Sequence, residues 1–167
     1  MLLLPHALAG AAIGRHSVSF TKSAVIVFFL GLLSHYLLDA VPHWDVVIGR
    51  EWYMNTGEYY SWRTYLQVLL DAGLAIVILF LTIRKHRQNL PLVAKLMMWG
   101  AIGAVTPDLL DNVPLLQDIT GQIPILSHER EVHLWAHVSA SEQMSLPPYF
   151  GLLTQLLIIV LGLYLVL

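Results

Sequence analysis

Five stretches of this chain are long, apolar and almost free of charge, and that pattern limits its fold more than any other feature. They run from Met1 to Gly14, Ser23 to Val41, Thr64 to Ile83, Leu92 to Asp111 and Leu146 to Leu167. A helix needs about 20 apolar residues to cross ~30 Å of hydrocarbon. The last four stretches suit that length. The first is only about 21 Å long as a helix, so it can span, tilt or re-enter. It lacks a basic leading region and carries Pro5 and His6 inside the apolar run, so it is read as part of the fold and not as a cleaved signal. Only 12% of the 167 residues are charged, about half the share in soluble domains. The pattern predicts an all-α integral membrane bundle of four to five transmembrane helices, forming one domain over residues 1–167. Loops at 42–63 and 112–145 are expected to cap a polar site.

Composition excludes several classes of function. There is no basic excess to hold a phosphate backbone, so no nucleic-acid partner is expected. There is no cysteine, so disulfides and thiolate metal sites are excluded. Any metal must be held by His and carboxylate.

The charges sort by side. The connections after the first and third stretches hold Arg15, Lys22, Arg84, Lys85, Arg87 and Lys95, with no acid. The other side holds Arg50, Arg63 and Arg130 with all eleven acids. The positive-inside rule puts the basic side in the cytoplasm and the acidic side outside. The expected location is therefore a multi-pass position in the cell membrane, with the polar site on the extracytoplasmic face. Six of the eight histidines fall on the acidic side. Only His16 and His86 lie on the basic side, which excludes them as ligands. Between the second and third stretches, Trp44, Trp52, Tyr53, Tyr59, Tyr60, Trp62 and Tyr65 fit either an interfacial aromatic belt or a packed loop.

The candidate chemistry gathers at helix ends. His35 and Asp39 are one turn apart on one helix face and can grip one ion. His43 and Asp45 follow just past Pro42. Asp108 and Asp111 close the fourth stretch, although Thr106 and Pro107 could instead open a new short helix with Asp108 in its first turn. Asp71 is a carboxylate inside an apolar span, costly to bury unless paired or bound. His133 and His137 repeat the one-turn spacing in the last loop. His128–Glu129 begins like a zinc-protease HExxH, but Val132 stands where the second His belongs. The candidate metal ligands are thus His6, His35, Asp39, His43, Asp108 and Asp111. The candidate catalytic groups are His133, His137 and Asp71. Ser34 is a possible nucleophile or supporting donor. The expected cofactor is a divalent metal, with zinc first.

An internal echo runs through the same residues. LLDAVP at 37–42 returns as LLDNVP at 109–114, an offset of 72. It suggests a tandem two-helix repeat about an axis along the membrane normal, with Asp39 equivalent to Asp111.

Three segments together resemble a family. They are PHALAGAAIG (5–14), GLLSHYLLDAVPHWD (31–45) and AVTPDLLD (104–111). The chain resembles the membrane-bound metal-dependent hydrolase-like proteins of bacteria and archaea. The resemblance rests on an early His, a Gly-x-x-x-His-x-x-x-Asp helix end and a Pro-Asp-x-x-Asp element. It implies metal roles for His6, His35, Asp39, Asp108 and Asp111. The expected function is metal-dependent hydrolysis at the outer membrane interface, on a lipid or lipid-linked phosphoester. Two other readings stay open. One is a non-enzymatic membrane module with a structural metal site or a small partner subunit. The other is a small transporter or proton relay, which would need polar residues along the whole depth rather than at one side. The uncharged last stretch can face lipid or a second copy, so a homo-oligomer is possible.

Overall fold

A computed structural model describes residues 2–43, 62–112, 122–143 and 148–167. It is all helical, with no strand among the described residues. Among the described residues six helices follow in order: α1 Leu3–Ser17, α2 Ala24–Asp39, α3 Trp62–Asn89, α4 Pro91–Asn112, α5 Pro124–Gln143 and α6 Pro148–Val166. Their boundaries follow local chemistry. Ser23 caps α2 by accepting from the Ile26 N–H at 3.4 Å, and Pro42 follows its end. Pro91, Pro124 and Pro148 each stand at the first position of a helix, where the missing N–H is not needed. The alternative break at Thr106–Pro107 does not occur. Instead α4 runs through Pro107 to Asn112, and the Thr106 hydroxyl donates back to Ile102 O at 2.7 Å.

The polar stretch expected to be a loop contains a helix, α5, which packs on the ends of α2 and α4. Two helices, over Pro91–Asp111 and Tyr149–Val166, are long and apolar enough to cross a membrane, and α2 is a shorter apolar helix. Large apolar side chains stand exposed on the outer faces of α2, α3 and α6, among them Phe29, Leu69, Phe80 and Leu157. The aromatic residues Trp44, Trp52, Tyr53, Tyr59 and Tyr60, with Asp45, lie outside the described residues, as do the side chains of Trp62 and Tyr65.

α1 is the innermost helix, and its core contacts reach α3, α4 and α6. Glycine makes this possible. A Cβ at Gly10 would strike Gly100 O, and a Cβ at Gly14 would strike Leu96 O. Small residues spaced by four let helix backbones touch, the usual device where lipid removes the hydrophobic drive for association. The α2–α4 crossing has a reciprocal form. A Cβ at Gly31 would strike Gly100 O, and a Cβ at Gly103 would strike Phe28 O. Positions 28 and 100, like 31 and 103, differ by 72. The contact therefore maps onto itself under the offset of the LLD-x-VP echo.

The basic end has its own job. Carbonyls at and just past the end of α6 accept from Arg15 (3.0 Å, Leu165 O) and Lys85 (3.2 Å, Leu167 O). His16 and His86 lie 3.3 and 3.0 Å from Leu165 O and Val166 O. Cations and imidazoles here meet the negative end of the helix dipole. These groups stand at the far end of α1 from His6, about 15 Å along the axis.

The glycine contacts make a paired prediction. Gly100→Ala should lower the unfolding midpoint in detergent, equivalent to about 1–3 kcal/mol of overpacking. Gly73→Ala, where a Cβ meets nothing within 4 Å, should leave stability unchanged or raise it by up to ~1 kcal/mol. Equal effects of the two substitutions would contradict the close packing.

Candidate metal centre

The ends of α1, α2 and α4 meet the middle of α5 at one buried polar cluster. His6 comes from the first turn of α1. His35 and Asp39 come from the last turns of α2. Asp108 and Asp111 close α4, and His133 comes from the middle of α5. His6, His35 and Asp39 are wholly inaccessible, with 0% exposure each. The cluster holds no Lys or Arg among the described residues. Buried carboxylates need hydrogen bonds or positive charge.

The two histidines on α2 and α5 are oriented from behind. His35 Nδ1 donates to the Ala104 carbonyl at 2.8 Å. His133 Nδ1 donates to Asp111 Oδ2 at 2.5 Å. Both partners only accept, so each Nδ1 carries the hydrogen and each Nε2 is left to face inward. The two Nε2 atoms lie 3.0 Å apart. Asp39 Oδ2 lies 2.9 Å from the first and 3.3 Å from the second. These separations are near the edge of about 3.4 Å between ligands of a tetrahedral zinc site with ~2.0–2.1 Å bonds. A carboxylate behind a ligand histidine is the usual supporting arrangement at metals.

Such a cage can hold a cation. Two neutral Nε2 lone pairs at this distance repel unless a positive charge lies between them. Without metal a proton on His133 serves. Burial acts against that proton, but the hydrogen bonds with Asp111 and Asp39 and the nearby charges of Asp108 and Asp39 outweigh it, pushing the His133 pKa up to about 10. A divalent ion would displace that proton.

His6 and Asp108 adjoin this cage. The ligand atoms of His6, His35 and Asp108 form a second convergent group beside that of His35, Asp39 and His133. His6 Nε2 is 3.1 Å from Asp39 Oδ1, and its ring stacks on His35 with centroids 4.1 Å apart. Neither His6 nitrogen makes a well-formed hydrogen bond. Asp108 Oδ1 is 3.9 Å from His133 Nε2.

Other expected site residues are placed differently. Asp71 accepts from the Leu3 N–H at 2.6 Å and the Leu4 N–H at 3.4 Å. It thus caps α1, whose own N-cap residue, Leu2, offers no side-chain acceptor. His43 donates from Nδ1 to Val41 O at 2.7 Å and belongs to neither convergent group. Ser34 donates within its own helix to Gly31 O at 2.6 Å. His128 is exposed beside Glu131. His137 falls in α5, but its side chain lies outside the described residues. The sequence reading missed two partners, the Ala104 carbonyl and Tyr36, whose ring meets His35 and His133 edge-on. A backbone carbonyl carries no residue-type signal, although Pro107 three residues on does mark a disturbed ladder. No family model matches the chain, and neither a curated protein nor a solved structure does.

The capping geometry predicts the behaviour of Asp71 variants. Asp71→Ala should cost about 1–2 kcal/mol of stability by exposing the α1 donors. Asp71→Asn keeps an acceptor and should recover most of that loss. Thermal melts of both variants check this. A catalytic Asp71 would instead give stable variants that have lost activity.

Proposed function

We propose that this chain is a membrane-embedded metal-dependent hydrolase acting at the outer membrane interface on a lipid or lipid-linked phosphoester. The observation that carries the reading is the inward convergence of His35 Nε2, His133 Nε2 and Asp39 Oδ2, with both Nδ1 atoms tied back. The resemblance of residues 5–14, 31–45 and 104–111 to the metal-dependent hydrolase-like membrane proteins supports it. On this reading α1, α2, α3, α4 and α6 cross the membrane, and α5 lies over the site. The basic end faces the cytoplasm by the positive-inside rule.

His35, Asp39 and His133 are the proposed ligands. This moves His133 from the general-base role expected of it to the ligand set. It also moves Asp111 from the ligand set to a positioning role behind His133. Bound there, a divalent ion such as zinc supplies Lewis acidity that polarises a phosphoryl oxygen and acidifies water. The chain's own residues fix the imidazole tautomers, hold the carboxylate and exclude bulk water. The cluster lies towards one end of the bundle, and α2 and α3 carry exposed apolar side chains, so a substrate with a polar head group and a lipid tail is the class this reading expects.

The complete burial of His6, His35 and Asp39 favours a second reading, a closed structural site that ties α1, α2 and α5 together. A closed structural site fills all its coordination positions with protein, whereas a catalytic one keeps one open.

Metal analysis after chelator-free purification tests the reading. Wild type should carry stoichiometric divalent metal, and His35→Ala and Asp39→Ala should carry little or none. Metal-free wild type would sink the proposal. Asp111→Asn should still bind zinc, with affinity lowered about 10–100-fold. Release of phosphate or alcohol from lipid phosphoesters by the metal-loaded protein separates the catalytic reading from the structural one.

A further inference from the structure

We infer that the cluster holds two divalent ions, with Asp39 bridging them and His6 and Asp108 completing the second position. This rests on the metal reading above and extends it to nuclearity.

The two oxygens of Asp39 face different imidazoles. Oδ2 meets His35 and His133, whereas Oδ1 meets His6 at 3.1 Å. Bridging carboxylates at paired metals divide their oxygens in this way.

His6 supplies the independent observation. It is wholly buried, it lies beside two carboxylates, and neither ring nitrogen makes a well-formed hydrogen bond. A buried imidazole left in that state is costly. A ligand role at Nε2 removes that cost at the nitrogen facing Asp39.

Stacking then separates the positions. The His6 and His35 rings lie 4.1 Å apart at an interplanar angle of 27°. Each lone pair lies in its own ring plane, and stacked planes favour two neighbouring ions over one shared ion. Two-metal hydrolytic sites hold their ions ~3.5–4 Å apart. Asp108 groups with His6 and His35, which gives the second position a carboxylate of its own. The first position keeps His35, His133 and Asp39 Oδ2. The second takes His6, Asp39 Oδ1 and Asp108.

The test loads the full-length protein in detergent with Mn²⁺. It reads metal per chain by elemental analysis and spin coupling by electron paramagnetic resonance. Wild type should bind two ions per chain and give an exchange-coupled signal. His6→Gln and Asp108→Asn should each fall to one ion per chain and lose the coupling. One ion per wild-type chain, or two uncoupled ions, overturns the second position and leaves the first standing. No bound ion overturns both readings. If neither variant folds, the wild-type stoichiometry and coupling decide alone.

Discussion

Two imidazole nitrogens aimed at each other across 3.0 Å govern this structure. The arrangement is repulsive unless a positive charge sits between them, and it is not free to relax. Each ring is locked from behind, one by the Ala104 carbonyl and the other by Asp111. Rotating either ring outward would break a buried hydrogen bond, at a cost of about 1–3 kcal/mol. The fold therefore keeps a place that a cation can fill. That is preorganisation of the kind a metal site needs, because the cost of orienting the ligands is met in folding rather than in binding.

Backbone contact keeps the cluster in place. The residues that meet there come from four helices, and three of those helices touch backbone to backbone at Gly10, Gly31, Gly100 and Gly103. Glycine removes the side chain that would otherwise set an interaxial distance of 8–10 Å. The approach at the crossing is what brings His35 within reach of a carbonyl on the neighbouring helix. Asp71 adds to this by fixing the start of α1, and thus the first turn that carries His6. A carboxylate that looked chemical in the sequence thus serves the backbone of the turn that carries His6.

Much of this was legible in the sequence, and what was not has a physical reason. Apolar stretches and Pro positions gave the helices. One-turn spacing and the LLD-x-VP echo pointed to His35, Asp39 and Asp111, all of which the fold brings together. Charge sorting put His16 and His86 at the far end, where they meet carbonyls of α6. The polar segment from 124 to 143 concealed a helix because it lacks the long apolar run that marked the others. His133 and His137 looked alike in sequence, and only the placement of α5 brings His133 to Asp39. Asp71 was ambiguous because a buried carboxylate can serve backbone N–H groups as readily as a metal. Spacing along one chain does not say which helix end lies opposite.

The offset of 72 gives the cluster a further meaning. Under it Asp39 corresponds to Asp111, and Gly31 to Gly103. His35, however, corresponds to Pro107, and Tyr36 to Asp108. The paired glycines make the same backbone contact from both sides, so the scaffold is symmetric where the helices cross. The chemistry is not. Asp39 meets His133 at Nε2 on the inside of the cage, and Asp111 meets the same ring at Nδ1 from the outside. One carboxylate faces the ring's inward nitrogen, and the other sets the ring's tautomer. A symmetric pair of helix ends thus yields two unlike roles because a single histidine from α5, which lies outside the paired segments, sits between them. That asymmetry puts the two aspartates on opposite sides of one imidazole, and it arises from one added helix rather than from any change in the two aspartates.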